Sequence, residues 1–335
     1  MLIYLARRLV WLIAVMLGVV TITFVVARIL PVDVARVAAG VDATQDQIRQ
    51  ARAELGLDRP LYEQYSMYVS GLARLDFGRS VQSRQPVLEE IARRLPATLE
   101  LVLAGYVVNV LLSVALGILQ AVWPRTLRAA TIKTFTLVGA AMPVFWMGLV
   151  LQIVFGGFLG ILPVAGRLDV QLSPPPLVTG MYAIDSLLAG NATLFQNSLS
   201  HLVLPAAAWI FTHCALPARV MGASMAEELS KAYVRAARGK GLPEHKVVLR
   251  HALKNALNPV VTVMGLQFGW LMGGTILIET VFSWPGIGLY AARSFESFDF
   301  APIQAFALLI TFVFVVVNIF VDLLYRWLDP RVQAY

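Results

Sequence analysis

The chain has 335 residues, of which 58% are hydrophobic and only 14% are charged, and its formal net charge is +7. Soluble domains carry about 25% charged residues, so this composition excludes an ordinary soluble protein and predicts a polytopic membrane protein. No soluble basic domain with stacking aromatics accompanies the positive charge, which argues against nucleic-acid binding, and the single cysteine, Cys214, excludes an internal disulfide.

The first thirty residues contain an apolar core from Leu9 to Leu30 behind a positively charged flank. A cleavable signal peptide has an apolar core of roughly 7 to 15 residues. The longer core found here predicts that residues 1–30 form a retained N-terminal transmembrane helix.

Residues 31–96 are predicted to form a structured extracytoplasmic loop. The sequence TQDQ from Thr44 to Gln47 fits a capping box, and Gly56 fits the C-terminal stop of the helix that follows it. Another helix is expected to open at Pro60, and Pro96 is expected to start the second span.

Two apolar stripes lie in this loop, one on each side of the sequence LDFGRS. They either lie along the outer leaflet or pack on each other, and the sequence leaves both alternatives open. The stripes consist of Leu61, Tyr65, Tyr68 and Leu72, and of Val87, Leu88, Ile91 and Leu95.

Six continuous apolar windows are long enough to cross a bilayer core of about 30 Å, which takes about 20 helical residues. Their continuity favours helices over the alternating pattern of a membrane β-barrel. The predicted fold class is therefore an all-α integral membrane protein with six transmembrane helices. The windows are approximately Leu9–Leu30, Thr98–Val122, Thr134–Phe158, Ser198–Pro217, Pro259–Ile278 and Pro302–Tyr325.

Lysine and arginine collect on one side of this topology, and the positive-inside rule makes that side cytoplasmic. The two short outer connections hold only Arg167 and Arg293, and the loop 31–96 balances nine basic with nine acidic residues. Both termini are thus predicted to be cytoplasmic. The cations placed inside are Arg7, Arg8, Arg125, Arg128, Lys133, Arg219, Lys231, Arg235, Arg238, Lys240, Lys246, Arg250, Lys254, Arg326 and Arg331.

The most basic stretch of the chain, YVRAARGKGLPEHKVVLRHALKN, falls between the fourth and fifth spans. Its residues favour a helix from about Met221 to Gly239, which Gly241 breaks. Pro243 can occupy the first turn of a second helix that ends near Leu257. The pattern predicts a helix-turn-helix that projects into the cytoplasm from the loop 219–256.

The exposed tip of this structure is expected to run from Arg238 to Glu244. Contact with anionic lipid would explain the charge. It would not explain the Gly-Leu-Pro break or a loop far longer than two adjacent spans require. A separate protein partner on the cytoplasmic side is the better interpretation.

Three glycines of the fifth span, Gly265, Gly269 and Gly273, repeat every four residues on one face. This spacing favours tight packing against a neighbouring helix over a position lining a pore. Beyond that span, Trp284, Pro285 and Gly286 fit a tight turn in which the glycine tolerates a positive φ. The turn either lets the chain re-enter or cap the outer mouth, or it is an ordinary hairpin between the fifth and sixth spans.

Several kinds of chemistry have no signature in the sequence. There is no phosphate-binding loop of the form GxxxxGK followed by Ser or Thr, no nucleophile elbow and no histidine spacing that suits a metal. The span centres are nearly free of ionisable residues, which gives little support to transport driven by a buried carboxylate. We therefore expect no catalytic residue, no metal site and no cofactor bound by this chain.

Short segments spread along the chain carry a family resemblance. They are YVRAARGKGL, HALKNALNPVVTVMGLQFG, LGLDRPLYEQY, LDFGRS, RLPATLEL, HLVLPA, ETVFSWPGIG, NIFVDLLY and the terminal DPR. Together they resemble the B-type permease subunit of ABC importers of the dipeptide, oligopeptide and nickel family. One departure is Arg235, which stands where the broad ABC pattern begins with Glu.

The resemblance implies a type I ABC importer permease-like fold in a bacterial or archaeal plasma (inner) membrane, with residues 97–335 as the core permease domain. It implies four partners: a homologous C-type permease subunit, two cytoplasmic ABC ATPases that bind ATP and Mg, and an extracytoplasmic substrate-binding protein. The coupling loop would dock on an ATPase and transmit its closure by alternating access. The docking candidates are Ala236, Ala237, Arg238, Gly239, Lys240, Gly241, Leu242, Pro243 and Glu244.

The function implied is ATP-driven uptake of di- or oligopeptides by a complex in which this chain is not itself an enzyme. Relatives in the family also import nickel chelates, glutathione, opines or oligosaccharides. Two other classes stay open. A stand-alone secondary carrier predicts transport without an ATPase and usually an inverted repeat, whereas a membrane-anchored scaffold or receptor predicts partners without substrate flux.

Overall fold

The computed structural model describes residues 2–29, 33–40 and 43–328. Within them the regular structure is helical, apart from one isolated antiparallel bridge between Arg79 and Pro86. The chain forms two compact units, Met1–Thr98 with Pro285–Val315, and Leu99–Trp284 with Val316–Tyr335. Two long helices contribute to both units, α5 (Val87–Val122) and α15 (Phe300–Leu328).

The first unit contains the N-terminal span and the helices of the predicted outer loop, together with the start of α5 and of α15. Its remaining helices are α1 (Leu2–Ile29), α2 (Val34–Ala39), α3 (Gln45–Glu54), α4 (Leu61–Ala73) and α14 (Ile287–Glu296).

The local signals of the outer loop are confirmed. Thr44 caps α3, and the capping box is complete. The backbone N–H of Gln47 donates to the Thr44 hydroxyl, and the backbone N–H of Thr44 donates to the Gln47 side-chain oxygen at 2.8 Å. Gly56 has the positive φ (+64°) of a helix stop. Pro60 directly precedes α4.

The apolar stripe of α4 packs against α1, a partner that the sequence analysis did not consider. The Tyr65 ring meets Phe24 edge-on at 5.3 Å, and Tyr68 stacks on the same ring at 5.8 Å. The hydroxyls of Thr21 and Tyr65 lie 2.8 Å apart. Leu61, expected on this stripe, is instead 62% exposed.

The helix that carries the second apolar window does not begin at Pro96, where the sequence placed the start of the second span. Helix α5 starts at Val87, runs for 36 residues and carries Pro96 inside it. A proline removes one backbone hydrogen bond from a helix but does not always end it. Val87 and Ile91 of the predicted stripe are buried, and Leu88 is exposed.

The second unit holds the remaining apolar segments and the basic stretch, together with the rest of α5 and of α15. Two π-helical segments, Gln152–Phe158 and Val247–Ala252, continue from α-helices. The α-helices are α6 (Leu127–Ala141), α7 (Val144–Leu151), α8 (Tyr182–Leu188), α9 (Ala192–His213), α10 (Ala215–Ser230), α11 (Ala232–Gly239), α12 (Glu244–Lys246) and α13 (Leu253–Val281).

Three helical segments of the described chain are long and apolar enough to cross a membrane unbroken: Arg7–Arg28, Val87–Val122 and Phe300–Val321. The six spans expected from the sequence are reached when each of three bent helix pairs counts as one span. These pairs are Leu127–Ala141 with Val144–Phe158, Ala192–His213 with Ala215–Ser230, and Glu244–Leu271 with Gly273–Val281.

The sharpest bend lies in the third apolar window, where α6 and α7 meet at 109°. Met142 has an extended backbone (φ −95°, ψ 136°), and Pro143 follows it. A residue before proline is driven out of the helical region by the proline ring. The window that was expected to be one continuous span is therefore divided into two helices at this proline.

The fourth apolar window is also broken, at Cys214, where α9 and α10 form an angle of 50°. Pro217 has no N–H, so the carbonyl of His213, four residues earlier, loses its helical donor. Pro217 was expected to end this span. It lies instead in the first turn of α10, and the helix continues past it to Ser230.

Side chains from neighbouring helices satisfy the carbonyls at this break. The Gln267 amide of α13 donates to the His213 carbonyl at 2.7 Å, and the Ser113 hydroxyl of α5 donates to the Cys214 carbonyl at 3.2 Å. The side-chain amide of Asn109 donates to the Oε1 atom of Gln267 at 3.4 Å. The Cys214 carbonyl also accepts from the Ala218 N–H at 3.0 Å, whereas the His213 carbonyl has lost its helical donor. A bilayer core supplies no water for such a group, so the break depends on the donor from Gln267.

We predict that Gln267→Leu lowers the stability of the protein, because it leaves the His213 carbonyl without its side-chain donor. An unsatisfied buried polar group costs about 1–3 kcal/mol. The measurement is the thermal unfolding midpoint of the purified full-length chain in detergent.

The matched background for this prediction is Pro217→Ala, which returns an N–H to position 217. In that background Gln267→Leu should lower the thermal unfolding midpoint by less, because the backbone N–H of residue 217 can again donate to the His213 carbonyl. An equal loss in both backgrounds would contradict the role given to Gln267.

Candidate functional site

The basic stretch folds as a helical hairpin that joins α10 to α13. The predicted single helix from Met221 to Gly239 is wrong, because Lys231 takes an extended conformation (φ −71°, ψ 153°) and divides it into α10 and α11. In a continuous helix, residues five apart point about 140° away from each other. The break lets Tyr233 reach back to Glu228 instead.

Gly241 ends α11, as the sequence predicted. Its φ is +74°, which favours glycine. The Gly241 N–H donates to the Arg238 carbonyl at 2.9 Å, and the Leu242 N–H donates to the Ala237 carbonyl at 3.4 Å. These two bonds form a Schellman motif, in which an apolar residue just beyond the glycine packs back on the helix. Leu242 is that residue.

Apolar side chains fasten the hairpin to the helices beside it. Val234 and Ala237 of α11 pack with Met221 and Met225 of α10, all of them buried. From the other arm, the buried residues Val247, Val248 and Ala252 join the same cluster, with Leu253 partly buried against it. The hairpin and the adjoining ends of α10 and α13 therefore form one packed body.

Most of the predicted docking residues lie at the exposed tip of this body. Ala237 is only 7% exposed and Leu242 is partly buried, so these two support the tip from inside. Arg235, at the position of the family's Glu, is exposed. The exposed candidates are Ala236, Arg238, Gly239, Lys240, Gly241, Pro243 and Glu244.

A buried carboxylate ties the base of the hairpin together. Glu228 accepts hydrogen bonds from the Lys231 ammonium at 2.5 Å and from the Tyr233 hydroxyl at 2.6 Å. The Asn255 amide of α13 donates to the same hydroxyl at 3.1 Å. Burial and the hydrogen bond to Glu228 raise the pKa of Tyr233, so its hydroxyl stays protonated and links α10, α11 and α13.

An ion pair closes the tip across Gly241. The Arg238 guanidinium donates to the Glu244 carboxylate through Nη2 at 2.6 Å and through Nε at 3.1 Å. This hydrogen bond raises the pKa of Arg238. Both side chains are about half exposed. The pair therefore sets the shape of the tip and contributes at most about 1 kcal/mol to stability.

The three glycines of α13 have different surroundings. A β-carbon on Gly265 would overlap the side chain of Val321 in α15. Gly269 is buried, whereas Gly273 is exposed with no atom within 4 Å of such a carbon. The regular spacing therefore does not produce one uniform contact within this chain.

The predicted turn at Trp284, Pro285 and Gly286 is present but is built differently. Gly286 has φ −94° and precedes α14, so the expected positive φ at this glycine is wrong. The positive φ belongs to Ser283, at +48°. The Trp284 N–H donates to the Glu279 carbonyl at 2.8 Å, and its side chain is fully buried. A ten-residue helix, α14, follows the turn, so the two apolar segments are not joined by a simple hairpin.

Sequence reasoning missed a buried charge cluster in the second unit. Arg167 pairs with Glu100 through Nη2 and through Nε, and it donates to the Gly180 carbonyl at 2.8 Å. The guanidinium also lies 3.7 Å from the centre of the Tyr182 ring. The available signal was a lone cation in segment 159–181 and a carboxylate near the end of an apolar window.

Asp185 organises the same loop from inside. Its carboxylate accepts from the Thr179 hydroxyl at 2.7 Å and from the N–H groups of Val178, Thr179 and Gly180. Burial alone would raise the pKa of Asp185, but these hydrogen bonds outweigh burial and hold the pKa below its usual value. The loop is thus built around an ionised carboxylate.

Comparison with known protein families identifies the architecture. A family described as "Binding-protein-dependent transport system inner membrane component" matches residues 113–334, more than half of the chain. An N-terminal family described as "Binding-prot-dependent transport system membrane comp, N-term" matches residues 1–102. The chain belongs to this transport family. The resemblance seen in the sequence and the predicted fold class, an all-α membrane permease, are both confirmed.

Relatives match this member of the family almost from end to end. The "Probable D,D-dipeptide transport system permease protein" of Escherichia coli strain K12 is 44% identical over 96% of this chain and 94% of its own. The dipeptide transport system permease protein of Alkalihalophilus pseudofirmus is 39% identical over 99% and 100%. The glutathione transport system permease protein of Escherichia coli strain K12 is 38% identical over 99% of each chain.

Membership of the family establishes the broad role of the protein. The chain is a multi-pass permease subunit of the plasma membrane, and its transport system depends on a separate binding protein. The subunit is the transport component and not itself an ATPase.

We predict that Tyr233→Phe loosens the base of the hairpin, because Glu228 loses a donor and Asn255 loses its acceptor. A hydrogen bond to a charged group contributes about 1.5–3 kcal/mol. Amide hydrogen exchange across Ala232–Gly239 should become faster, as measured by mass spectrometry. The control is Tyr62→Phe, since the Tyr62 side chain is 72% exposed. Unchanged exchange in Tyr233→Phe would argue against the link.

We also predict opposite effects of alanine at two glycines of α13. Alanine favours a helix by about 1 kcal/mol over glycine, so Gly273→Ala, in open space, should be neutral or stabilising. Gly265→Ala should cost about 1–3 kcal/mol, because its β-carbon collides with Val321. Thermal unfolding of both variants measures the difference, and equal midpoints would refute the packing role of Gly265.

Proposed function

We propose that this chain is the permease subunit of an ATP-driven importer that takes up di- or oligopeptides delivered by an extracytoplasmic binding protein. The observation that carries the proposal is the end-to-end match, at 39–44% identity, to permeases named for dipeptides. Glutathione, the substrate named for another relative, is itself a short peptide. It belongs to the same chemical class and is the second candidate substrate.

In this proposal the chain pairs with a homologous C-type permease subunit and with two cytoplasmic ABC ATPases that bind ATP and Mg. The first 30 residues act as an N-terminal span, residues 31–96 form the extracytoplasmic loop, and residues 97–335 form the transport core. The requirement for a separate binding protein agrees with the family's description.

The tip from Ala236 to Glu244 is the surface proposed to dock on an ATPase. Three features support this role. The tip is exposed, its backbone shape is set by the Schellman motif at Gly241, and the Arg238–Glu244 pair closes it. A surface with a defined shape loses little conformational entropy when it binds a partner.

The packing behind the tip supports its use as a lever. The buried residues Val234 and Val247 join both arms of the hairpin to Met221 and Val260 in the helices beside it. A push on the tip would therefore move the adjoining ends of α10 and α13 with it. ATP binding would draw the ATPases together and open the permease outward, and hydrolysis would reset the inward-facing state.

The test is to replace Gly241 by Val and by Asn in the assembled transporter. At φ +74°, a β-branched residue is strained by about 1–3 kcal/mol, whereas Asn tolerates this region. Gly241→Val should cut ATP-dependent uptake of a labelled dipeptide at least tenfold and uncouple it from ATP hydrolysis. Gly241→Asn should take up the labelled dipeptide at close to the rate of the unchanged protein.

Two results would overturn parts of the proposal separately. If Gly241→Val shows full uptake coupled to ATP hydrolysis, the proposed docking role of the tip is wrong. If the unchanged transporter hydrolyses ATP but accumulates neither labelled dipeptide nor labelled glutathione in vesicles, the peptide substrate is wrong while the docking role stands. Uptake by this chain without any ATPase would favour a secondary carrier.

A further inference from the structure

A second polar site lies in the second unit, between α5, α6 and α10. A cavity of about 400 Å³ opens there, within the range of small-ligand pockets. Its wall holds two cations, Lys133 of α6 and Arg219 of α10, and the side chain of Gln120 from α5. No catalytic or docking role described above uses this site.

Three polar side chains of the cavity, those of Lys133, Arg219 and Gln120, are not matched by protein partners within the described part of the chain. No carboxylate there forms an ion pair with Lys133 or Arg219, and both side chains are exposed. The side-chain nitrogen of Gln120 is buried without a hydrogen-bond partner, although the residue is only 9% exposed. Two exposed cations in one cavity, beside a glutamine whose side-chain nitrogen lacks a partner, favour an anionic ligand.

The rest of the wall is apolar. Leu137 of α6 and Leu216 of α10 line the cavity beside the cations. The Thr136 hydroxyl, also in the wall, already donates to the Lys133 carbonyl at 3.1 Å. A small hydrated anion would leave these leucines in contact with water. An amphiphile with an anionic head and a carbon tail would use both parts of the wall.

On the predicted topology, in which this end of the helices is cytoplasmic, the cavity lies near the inner membrane surface. Trp123 is 44% exposed just before α6, and the Arg128 guanidinium lies 5.8 Å from the centre of its ring. Exposed tryptophans and arginines mark the headgroup region of a bilayer. Lys133 lies five residues beyond Arg128, about 7.5 Å further along the helix. The cavity therefore opens at the inner edge of the headgroup region.

We propose that this cavity binds the headgroup of an anionic phospholipid from the inner leaflet. The phosphodiester lies between Lys133 and Arg219 and accepts a hydrogen bond from the Gln120 amide. The start of an acyl chain covers Leu137 and Leu216. Basic pockets between transmembrane helices on the cytoplasmic side are suited to such headgroups.

The test measures phospholipid bound to the assembled transporter by native mass spectrometry, after exchange into phosphatidylglycerol or phosphatidylcholine. The unchanged protein should retain phosphatidylglycerol in preference to phosphatidylcholine. Lys133→Gln and Arg219→Gln should each weaken that retention about fivefold. Gln120→Glu, which has nearly the same shape, should weaken it as well, because its carboxylate repels the phosphate.

The matched control is Lys254→Gln, which removes an exposed cation from the same side of the protein outside the cavity. It should retain phosphatidylglycerol like the unchanged protein. Lys133→Arg keeps the charge and should also retain the lipid, which separates loss of binding from misfolding.

Several outcomes would overturn the proposal. Equal retention of the two lipids would contradict specific headgroup recognition. Equal loss of bound phosphatidylglycerol in Lys254→Gln and Lys133→Gln would contradict it as well. Displacement of the lipid by inorganic phosphate or by a dipeptide at similar concentration would make the cavity a site for soluble anions. Absence of bound lipid from the assembled transporter would mean that another subunit fills the cavity.

Discussion

Pro217 leaves the carbonyl of His213 without a backbone donor inside an apolar segment, and the side-chain amide of Gln267 supplies the missing hydrogen bond. In water such a carbonyl would be solvated at little cost, but a bilayer core offers no substitute. The break between α9 and α10 can therefore exist only where another helix brings a donor to it. The 50° change of direction, and the course of α10 toward the hairpin, depend on this contact.

The hairpin beyond α10 is stabilised mainly by the burial of apolar side chains and not by its charged residues. Each fully buried valine or methionine contributes about 1.5–3 kcal/mol, and Val234, Val247, Met221 and Met225 are all fully buried. The half-exposed ion pair at the tip contributes less than any one of them. The basic residues therefore give the hairpin its exposed surface, and the apolar ones make that surface part of a rigid body.

The loop after the third apolar segment follows a different principle, because its buried groups are charged. Removing one partner of a buried ion pair is strongly destabilising, yet the intact pair adds little net stability after its desolvation cost. The pairing of Arg167 with Glu100, and the four hydrogen bonds to Asp185, thus specify where the loop lies more than how stable it is. This loop has one defined conformation in a segment with little regular structure.

Features that depend on a few neighbouring residues could be predicted from the sequence. The capping box at Thr44, the start of α4 after Pro60 and the stop at Gly241 follow from side chains and φ preferences that act within one helical turn. The length of the apolar windows likewise predicted helices of membrane length, which the described chain forms unbroken in three of the six windows. At the candidate site, the sequence predicted the turn and its exposed tip, but not the division of the helix at Lys231 that brings Tyr233 back to Glu228.

Only the tertiary structure decided which distant groups meet. The donors to the His213 break, the partner of Arg167, the ring against which Tyr65 packs and the unequal surroundings of Gly265 and Gly273 all join residues far apart in the chain. A proline in the sequence shows that one backbone hydrogen bond is lost, and a glycine shows that a neighbouring helix can approach closely. Which side chain replaces that bond or fills that space depends on the packing of whole helices, and short sequence patterns do not encode that packing.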